Sequence, residues 1–263
     1  MTITEIAAFL GALAWIPQIL QWGFNYFTKP QIRVTPERSA QIGYTTYGPI
    51  FNVRLSIDVN KKDTMLDYIG IQLCHENKSS YEFEWVGMNE IFSEVITTGD
   101  NSPGVNQIVQ KDVFPIAIKI NQLSLAERFF RFQEISFIQS NRIKSNAIFK
   151  EIASAKLLKK EGKNTDFIIK DMDEYLSYFR EKFIWKAGKY TVKFILRSPE
   201  KFKFINSNFE LVLTQMDIDS LHSNLDEMKL FKENVLKEIE DPSLPKSTIN
   251  WIWVNPEIHK IYC

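Results

Sequence analysis

A run of twenty-two residues without a charge, residues 6–27, constrains the chain more than any other feature of its sequence. At 1.5 Å rise per residue, a helix of this length would extend roughly 33 Å, which is about the thickness of the hydrocarbon core of a bilayer. Such a segment is typical of a transmembrane helix. We therefore expect residues 1–28 to form an N-terminal membrane anchor helix.

The second half of this run is amphipathic and begins at a proline, which kinks a helix by removing one backbone hydrogen bond. Three carboxamides follow at helical spacing and share one face. Tryptophan side chains suit the interface between lipid and water. The predicted membrane and oligomer face comprises Trp15, Pro17, Gln18, Gln21, Trp22 and Asn25.

Three placements of this segment stay open. It could be a single kinked span, or a helix that lies in the membrane interface or returns at Pro17, or a buried core helix of a soluble domain. The uncharged length favours the membrane over a protein core. The carboxamides do not exclude a span, because they can hydrogen-bond to neighbouring helices, which predicts a homo-oligomer.

The flanking charges predict the orientation of a span. Glu5 precedes the run, whereas Lys29, Arg33 and Arg38 follow it. Positive charge tends to stay on the cytoplasmic side. With only two cysteines in the chain, a reducing compartment is also indicated. We expect a single-pass protein of the inner (cytoplasmic) membrane, with residues 29–263 in the cytoplasm.

Residues 29–120 predict five short β-strands, of which the first is the extended run "KPQIRVTPE". The stretch "FNVRLSIDVN" alternates apolar and polar side chains, so that one face of a strand is buried and the other is solvated. "LDYIGIQLCHE", "YEFEWV" and "VFPIAIKI" continue the pattern after turns, which predicts an antiparallel sandwich. The core positions predicted from this phase and from the later strand "KYTVKFIL" are Leu55, Ile71, Trp85, Tyr190 and Phe194.

The entry to that later strand, Gly188, Lys189 and Tyr190, resembles a late strand of immunoglobulin-like sandwiches, where Gly-x-Tyr opens the strand and the tyrosine caps a corner. The resemblance covers about a dozen residues and implies a fold, not a function. We predict a mainly β protein, built as an antiparallel immunoglobulin-like β-sandwich of seven or eight strands.

Helical patterns interrupt and follow these strands. A helical insertion is predicted at about 121–185, with Ser124 and Glu127 as a capping box at its start. A long C-terminal helix is predicted at about 215–240. Residues 29–263 would then form one cytoplasmic β-sandwich domain with two helical additions.

Two charge blocks lie in these helical regions, although the net charge is zero and gives no general case for nucleic acid as a partner. Residues 142–163 carry seven basic and two acidic side chains, and residues 217–241 carry eight acidic and three basic ones. They could be solvated faces that meet, or the basic helix could lie on an anionic membrane leaflet. The candidate lipid- or partner-binding residues are Lys150, Lys156, Lys159 and Lys160.

Catalytic motifs are not found. The sequence contains no nucleophile elbow, phosphate loop or dinucleotide fingerprint. Cys74 and His75 are adjacent, so a strand would direct them to opposite faces. His222, near Asp217 and Asp219, is weighed as a metal ligand against a solvated helix start. We predict no enzyme, no cofactor and no metal.

These observations favour a membrane-anchored bacterial binding or sensor protein. Its cytoplasmic β-sandwich would recognise a protein or ligand in a defence or stress system. The predicted partners are membrane lipids, further copies of the chain and an unidentified protein. The alternative is a membrane-disrupting or pore-forming effector that oligomerises through the N-terminal helix. A third hypothesis is an enzyme whose site has no recognised motif.

Overall fold

The computed structural model describes residues 15–23, 28–96, 105–114, 116–122, 125–205 and 208–261, with all side chains except those of residues 90–112. The strands are β1 (Gln31–Pro36), β2 (Gln41–Thr45), β3 (Gly48–Asn60), β4 (Thr64–Leu66), β5 (Tyr68–His75), β6 (Ser80–Ile96), β7 (Val105–Val113), β8 (Ile118–Ile120), β9 (Leu125–Glu134), β10 (Gly188–Arg197), β11 (Lys203–Ile205), β12 (Phe209–Leu213), β13 (Trp253–Val254) and β14 (Ile258–Lys260). The helices are α1 (described over residues 15–23), α2 (Ile135–Lys160), α3 (Phe167–Glu181) and α4 (Gln215–Glu240).

Twelve strands form one mixed sheet, and β4 pairs with β8 in a small second one. The order in the large sheet is β11-β1-β3-β9-β6-β5-β10-β12-β14, with β7 beside the end of β6 and with β2 joining β13 to β3. Strands β1 and β11 run parallel to each other, whereas the other strand pairs in the described part of the chain are antiparallel.

The large sheet curls until its two ends approach each other. A bridge joins Ser39, which follows β1, to Glu257, which precedes β14. The Ala40 amide donates to the Pro256 carbonyl at 3.1 Å, and the Ile258 amide donates to the Arg38 carbonyl at 2.7 Å. The protein is therefore mainly β, as predicted, with a sheet shaped as a half-barrel. An immunoglobulin sandwich is not confirmed, because twelve of the strands belong to one curled sheet and only β4 and β8 form a second one.

The predicted phase of the core strands is confirmed in β3 and β5. The five alternating apolar side chains of β3 and the three of β5 are buried; they are Phe51, Val53, Leu55, Ile57, Val59, Ile69, Ile71 and Leu73. Of the other predicted core residues, Tyr190 and Phe194 are buried as expected. Trp85 is only partly buried, beside a β-bulge between Trp85 and Gly87 that shifts the register of β6 against β9.

The tyrosine corner predicted at the start of β10 is confirmed locally. The Tyr190 hydroxyl donates to the Lys186 carbonyl at 3.0 Å and accepts from the Lys186 amide at 2.9 Å. Gly188, two residues earlier, has φ 131°, a conformation that favours glycine. Burial raises the pKa of Tyr190 to about 12. The corner is thus a local feature that occurs here without a two-sheet sandwich.

The start of the predicted helical insertion is wrong. Glu127 lies in β9 rather than at a helix start, and Ser124 lies outside the described residues. Phe130 and Phe132 alternate into the core, so strand packing prevails over the local capping pattern. Helix α2 begins only after Glu134, whose carboxylate accepts from the amides of Ser136 and Phe137 at 3.1 and 2.6 Å.

The three long helices pack against one another, and α4 also contacts β2 and β13. Helix α4 lies at Gln215–Glu240, where the C-terminal helix was predicted. It begins with a capping box in which the Thr214 hydroxyl and the Asp217 carboxylate cap each other's backbone amides. Its buried side chains include Leu221, Leu225 and Met228, which fix the helix on the sheet.

The N-terminal segment is described only in part. Residues 15–23 are helical, and residues 1–14 and 24–27 lie outside the described residues. Among the helices of the described residues, none combines the length and apolar character needed to cross a bilayer. Trp15 and Trp22 are 64% and 71% exposed, so the described part of α1 presents large, mostly exposed apolar side chains.

We expect the core of the half-barrel to be sensitive at Phe194, which is buried and packs edge-to-face on Phe209 at 5.8 Å. Phe194→Ala should lower the free energy of unfolding in urea by about 3–5 kcal/mol, because it removes contacts and leaves a cavity. The matched control is Ile195→Ala on the opposite face, 38% exposed. Equal losses at both positions would contradict the assigned strand phase.

Candidate functional site

A cavity of about 560 Å³ lies on the face of the sheet opposite to the core, and we call it the aromatic–amide cavity. Strands β2, β3, β6 and β9 form its floor, and the segment around β13 and the residue after β7 form walls. Its lining consists of Gln41, Thr45, Tyr47, Ile50, Asn52, Val86, Phe114, Phe129, Arg131, Gln133, Trp251 and Trp253.

Strand alternation explains why these side chains point away from the core. In β9, Phe130 and Phe132 are buried in the core, so Phe129, Arg131 and Gln133 project from the other face. The five residues "FFRFQ", 129–133, are thus divided between the two faces of β9. The cavity side of β9 carries one aromatic ring, one guanidinium and one carboxamide.

The strand register brings the polar floor together. Asn52 of β3 pairs with Gln41 of β2 on one side and with Arg131 of β9 on the other. Ile50, two residues earlier, pairs with Gln133 of β9. Side chains at directly paired positions lie close enough to interact. Two carboxamides and a guanidinium therefore form one row across three strands.

Asn52 is the most unusual residue of this row, because it is polar and only 4% exposed. Its Nδ2 donates to Gln41 Oε1 at 3.2 Å. Its Oδ1 is buried and makes no hydrogen bond to the part of the protein that the structure describes. A buried acceptor without a donor costs about 1–3 kcal/mol. The cavity floor therefore offers an acceptor whose satisfaction would be favourable.

Trp253 forms a wall of the cavity by lying over a glycine. A Cβ placed on Gly43 would come within 2.4 Å of the Trp253 ring, so a side chain at this position of β2 would displace the indole. Trp251, two residues earlier, also lines the cavity. The absence of a side chain at Gly43 is thus what lets the indole approach the sheet.

Helix α4 holds the backbone that carries both tryptophans. Asn224, which is fully buried, donates from Nδ2 to the Ile252 carbonyl at 2.8 Å and accepts at Oδ1 from the Ile252 amide at 2.8 Å. Asn234, further along the helix, makes the same pair of bonds with Ser247, both at 2.8 Å. Two side-chain amides of α4 therefore hold the segment that carries Trp251 and Trp253. Each bonds a backbone N–H and a backbone carbonyl of one residue, as a paired strand would.

The described lining offers aromatic rings, carboxamides, hydroxyls and a guanidinium. Among the described lining residues, Arg131 is the only charged one, and none is a carboxylate, histidine or cysteine. His75 lies elsewhere, where Nε2 hydrogen-bonds the Ala187 carbonyl at 3.1 Å and Nδ1 accepts from the Asn77 amide at 3.2 Å. Such a lining can stack on a ligand and hydrogen-bond to it.

The outer face of α2 is a second exposed surface, which we call the basic apolar face. Ile143, Lys150 and Leu157 follow one another at seven-residue spacing and are exposed, with Phe149 and Lys160 on adjacent stripes. This is the helical region for which lipid or partner binding was predicted. Exposed apolar side chains between cations are typical of helices that lie on anionic membranes.

The four predicted lysines are not equivalent. Lys156 pairs with Glu238 of α4, and Lys246 pairs with the same carboxylate at 2.6 Å. The hydrogen bonds from these two lysines lower the pKa of Glu238 to about 2. The basic and acidic blocks therefore meet at this position.

Lys150, Lys159 and Lys160 are exposed, and no described carboxylate forms an ion pair with them. Lys156 differs because it is engaged between α2 and α4. A surface role for the basic block therefore rests on the other three.

The predicted membrane and oligomer face is placed only in part. Trp15, Pro17, Gln18, Gln21 and Trp22 are exposed on α1. Asn25 lies outside the described residues. The structure therefore does not bring the complete face together, and its role stays a prediction.

Sequence reasoning did not identify the aromatic–amide cavity. Two signals were present: the tryptophans of "WIW" at residues 251–253 share one face of an extended chain, and "FFRFQ" at 129–133 alternates with a polar set. Neither shows which strands lie beside Asn52 or that a distant helix holds the tryptophans.

Comparisons with family models, curated proteins and solved structures found no significant match to the chain. The function must therefore be inferred from the geometry and chemistry of the cavity and of the two exposed surfaces.

We expect Asn224→Ala to loosen the cavity wall, because the Ile252 amide and carbonyl would lose both partners. The loss should be about 1–3 kcal/mol in the free energy of unfolding. Near-ultraviolet circular dichroism should also change, since Trp251 and Trp253 would lose their fixed environment. Asn234→Ala is the matched control: it removes the same kind of bond pair from a less buried site and should leave the tryptophan signal nearly unchanged.

Proposed function

We propose that this protein is a non-enzymatic sensor that binds a small ligand in the aromatic–amide cavity and is held at a membrane by its N-terminal segment. The observation that carries the proposal is the buried Asn52 Oδ1, which has no hydrogen-bond partner among the described residues and lies on the floor of an aromatic-walled cavity. Ligand sites typically combine apolar walls with a few convergent polar groups.

The size of the cavity supports a small-molecule ligand. Its volume of about 560 Å³ lies within the range of roughly 300–1,000 Å³ typical of ligand pockets. Tyr47 and Phe114 are large, exposed aromatic side chains at its rim. Exposed aromatic rings contact water unfavourably. Contact with a bound ligand would reduce this exposure and stabilise the complex.

Membrane attachment is the second part of the proposal. It is supported by the uncharged run of residues 6–27 and by the exposed apolar side chains of α1. The basic apolar face of α2 could contact the same anionic leaflet. We propose that the protein lies on the cytoplasmic side of a bacterial inner membrane. There it would bind a cytoplasmic signal molecule in a defence or stress response.

The alternative is a membrane-disrupting effector that self-associates through α1. Gln18 and Gln21 are exposed on the described part of this helix, where carboxamides could pair between copies in lipid. Leakage of dye from liposomes separates the two functions. A sensor leaves the vesicles intact, whereas an effector releases dye, and Gln18→Leu with Gln21→Leu would then reduce the release.

We expect the full-length protein in detergent to gain thermal stability from at least one member of a metabolite panel. The gain should vanish in Trp253→Ala and in Asn52→Leu, because one variant removes a wall and the other removes the floor acceptor. Arg33→Ala on the exposed side of β1 is the control and should respond as the wild type does. A panel of nucleotides, sugars, amino acids and lipids that produces no shift dependent on these residues would count against a ligand-binding function.

Membrane attachment predicts that the full-length protein resists carbonate extraction, whereas a form starting at Lys29 is released. The released form should still bind anionic vesicles at low salt if the basic apolar face touches lipid. Lys150→Glu with Lys160→Glu should abolish that binding, since each cation near such a surface contributes about 1 kcal/mol. Lys203→Glu on β11 is the control. Full extraction of the intact protein by carbonate would contradict the anchor.

A further inference from the structure

We propose that three exposed lysines, Lys29, Lys61 and Lys201, hold the domain against an anionic lipid surface, and we call them the entry patch. The inference rests on the membrane attachment proposed above and identifies the surface of the folded domain that faces the phospholipid headgroups. The observation that carries it is the position of these lysines where the chain passes from the uncharged run of residues 6–27 into β1.

Backbone pairing brings three segments of the chain together beside Lys29. Gln31, the first residue of β1, pairs with Asn60 at the end of β3 and with Lys203 at the start of β11. The Lys203 amide also donates to the Pro30 carbonyl at 2.8 Å. Each lysine of the entry patch lies within two residues of one of these paired positions. The patch therefore occupies one end of the large sheet.

A side-chain contact places Lys61 beside Lys201. Lys62 Nζ lies 3.7 Å from the Glu200 carboxylate, which joins the residue after Lys61 to the residue before Lys201. Lys62 and Glu200 largely neutralise each other across this contact. The turn after β3 and the connection between β10 and β11 are therefore neighbours at the surface.

The charges of the entry patch are available to a partner. Its three lysines are exposed, and no described carboxylate forms an ion pair with them. The undescribed residues next to these segments in the chain, 24–27 and 206–207, carry no charge. Each cation close to an anionic leaflet contributes to binding, and three of them favour the orientation with the patch on the lipid on the order of a hundredfold.

The short connection to α1 makes this contact effective. The described part of α1 ends at Gly23, and the chain is described again from Thr28. Five residues of chain reach at most about 17 Å. Three cations are fewer than the cluster of about four to eight that binds such a membrane by itself. Joined to an anchored segment, they need only orient a domain that is already at the surface.

The β6–β7 hairpin leaves the sheet at the same end and determines the tilt of the domain. Strand β6 pairs with β9 as far as Asn89 and with β7 as far as Ile96, and β9 and β3 lie between this hairpin and β1. Residues 90–112 contain four acidic residues and one basic residue. An anionic surface repels the acidic residues and attracts the entry patch, so the edge formed by β1 and β11 lies closer to the lipid than the hairpin does.

This orientation places the aromatic–amide cavity away from the lipid. Asn52 on the cavity floor precedes Asn60 by eight residues on β3, which corresponds to roughly 27 Å along the strand. The ligand of the cavity would therefore enter from the aqueous phase and not from the bilayer.

The test measures which end of the domain lies near the headgroups. Full-length protein with Cys74→Ser and Cys263→Ser carries one fluorophore, at Met65→Cys near the entry patch or at Met216→Cys beyond the end of β12 that pairs with Gly188, and both methionines are exposed. The vesicles contain phosphatidylglycerol, phosphatidylcholine and a lipid with a quencher on its headgroup. The Met65→Cys fluorophore should lose most of its emission and the Met216→Cys fluorophore little. The difference should narrow in phosphatidylcholine alone and at about 1 M salt, where the Debye length is about 3 Å.

Charge reversal tests the entry patch directly. Lys61→Glu with Lys201→Glu should lower the quenching of the Met65→Cys fluorophore to its value in phosphatidylcholine vesicles. Lys182→Glu with Lys186→Glu makes the same change of charge at two exposed lysines before β10 and should leave the quenching unchanged. Far-ultraviolet circular dichroism confirms that each variant is folded. If the double glutamate variant unfolds, Lys61→Gln with Lys201→Gln replaces it and should remove part of the quenching.

Three outcomes would overturn the inference. The first is equal quenching at the two positions, and the second is quenching of the Met65→Cys fluorophore that reversal of Lys61 and Lys201 does not change. The third is quenching that depends on Lys150 and Lys160 instead, which would assign the contact to the basic apolar face of α2. Protein that sediments with the vesicles but gives one of these outcomes contradicts the orientation alone. Protein that does not sediment with them contradicts membrane attachment, and the inference fails with it.

Discussion

The hydrogen bonding of β3 along both of its edges is the constraint on which the rest of the structure depends. One edge pairs with β2 and then with β1, and the other pairs with β9. Because side chains alternate, the same strand supplies five apolar residues to the core and places Ile50 and Asn52 under the aromatic–amide cavity. A change of register by one residue would exchange the two sets and destroy core and cavity together.

The cavity is assembled from parts of the chain that are far apart in sequence. Gln41 and Asn52 come from the first strands, Arg131 from the strand before α2, and Trp253 from the C-terminal segment. Asn224 of α4 holds that last segment through two hydrogen bonds to Ile252. The helices therefore stabilise the site indirectly, since none of them contributes a described lining residue.

Charged side chains are distributed differently on the cavity and on the basic apolar face of α2. The described lining of the cavity contains one guanidinium among neutral amides, whereas the basic apolar face carries Lys150 and Lys160 between exposed apolar side chains. The acidic block of α4 engages Lys156 through Glu238 and leaves Lys150 and Lys160 on the outside. Lys156 therefore joins α2 to α4, whereas Lys150 and Lys160 are exposed.

The sequence alone determined the features that depend on neighbours along the chain. Alternation predicted which side chains of β3 and β5 face the core, the long helix α4 was predicted at its observed position, and Gly188 with Tyr190 predicted the corner at β10. Only the tertiary structure decided that the strands close into one curled sheet, that Glu127 lies in a strand, and that Asn52, Arg131 and Trp253 share a cavity. The physical reason is that side-chain period and capping are local, whereas strand neighbours and the covering of an outward face are set by long-range pairing and packing.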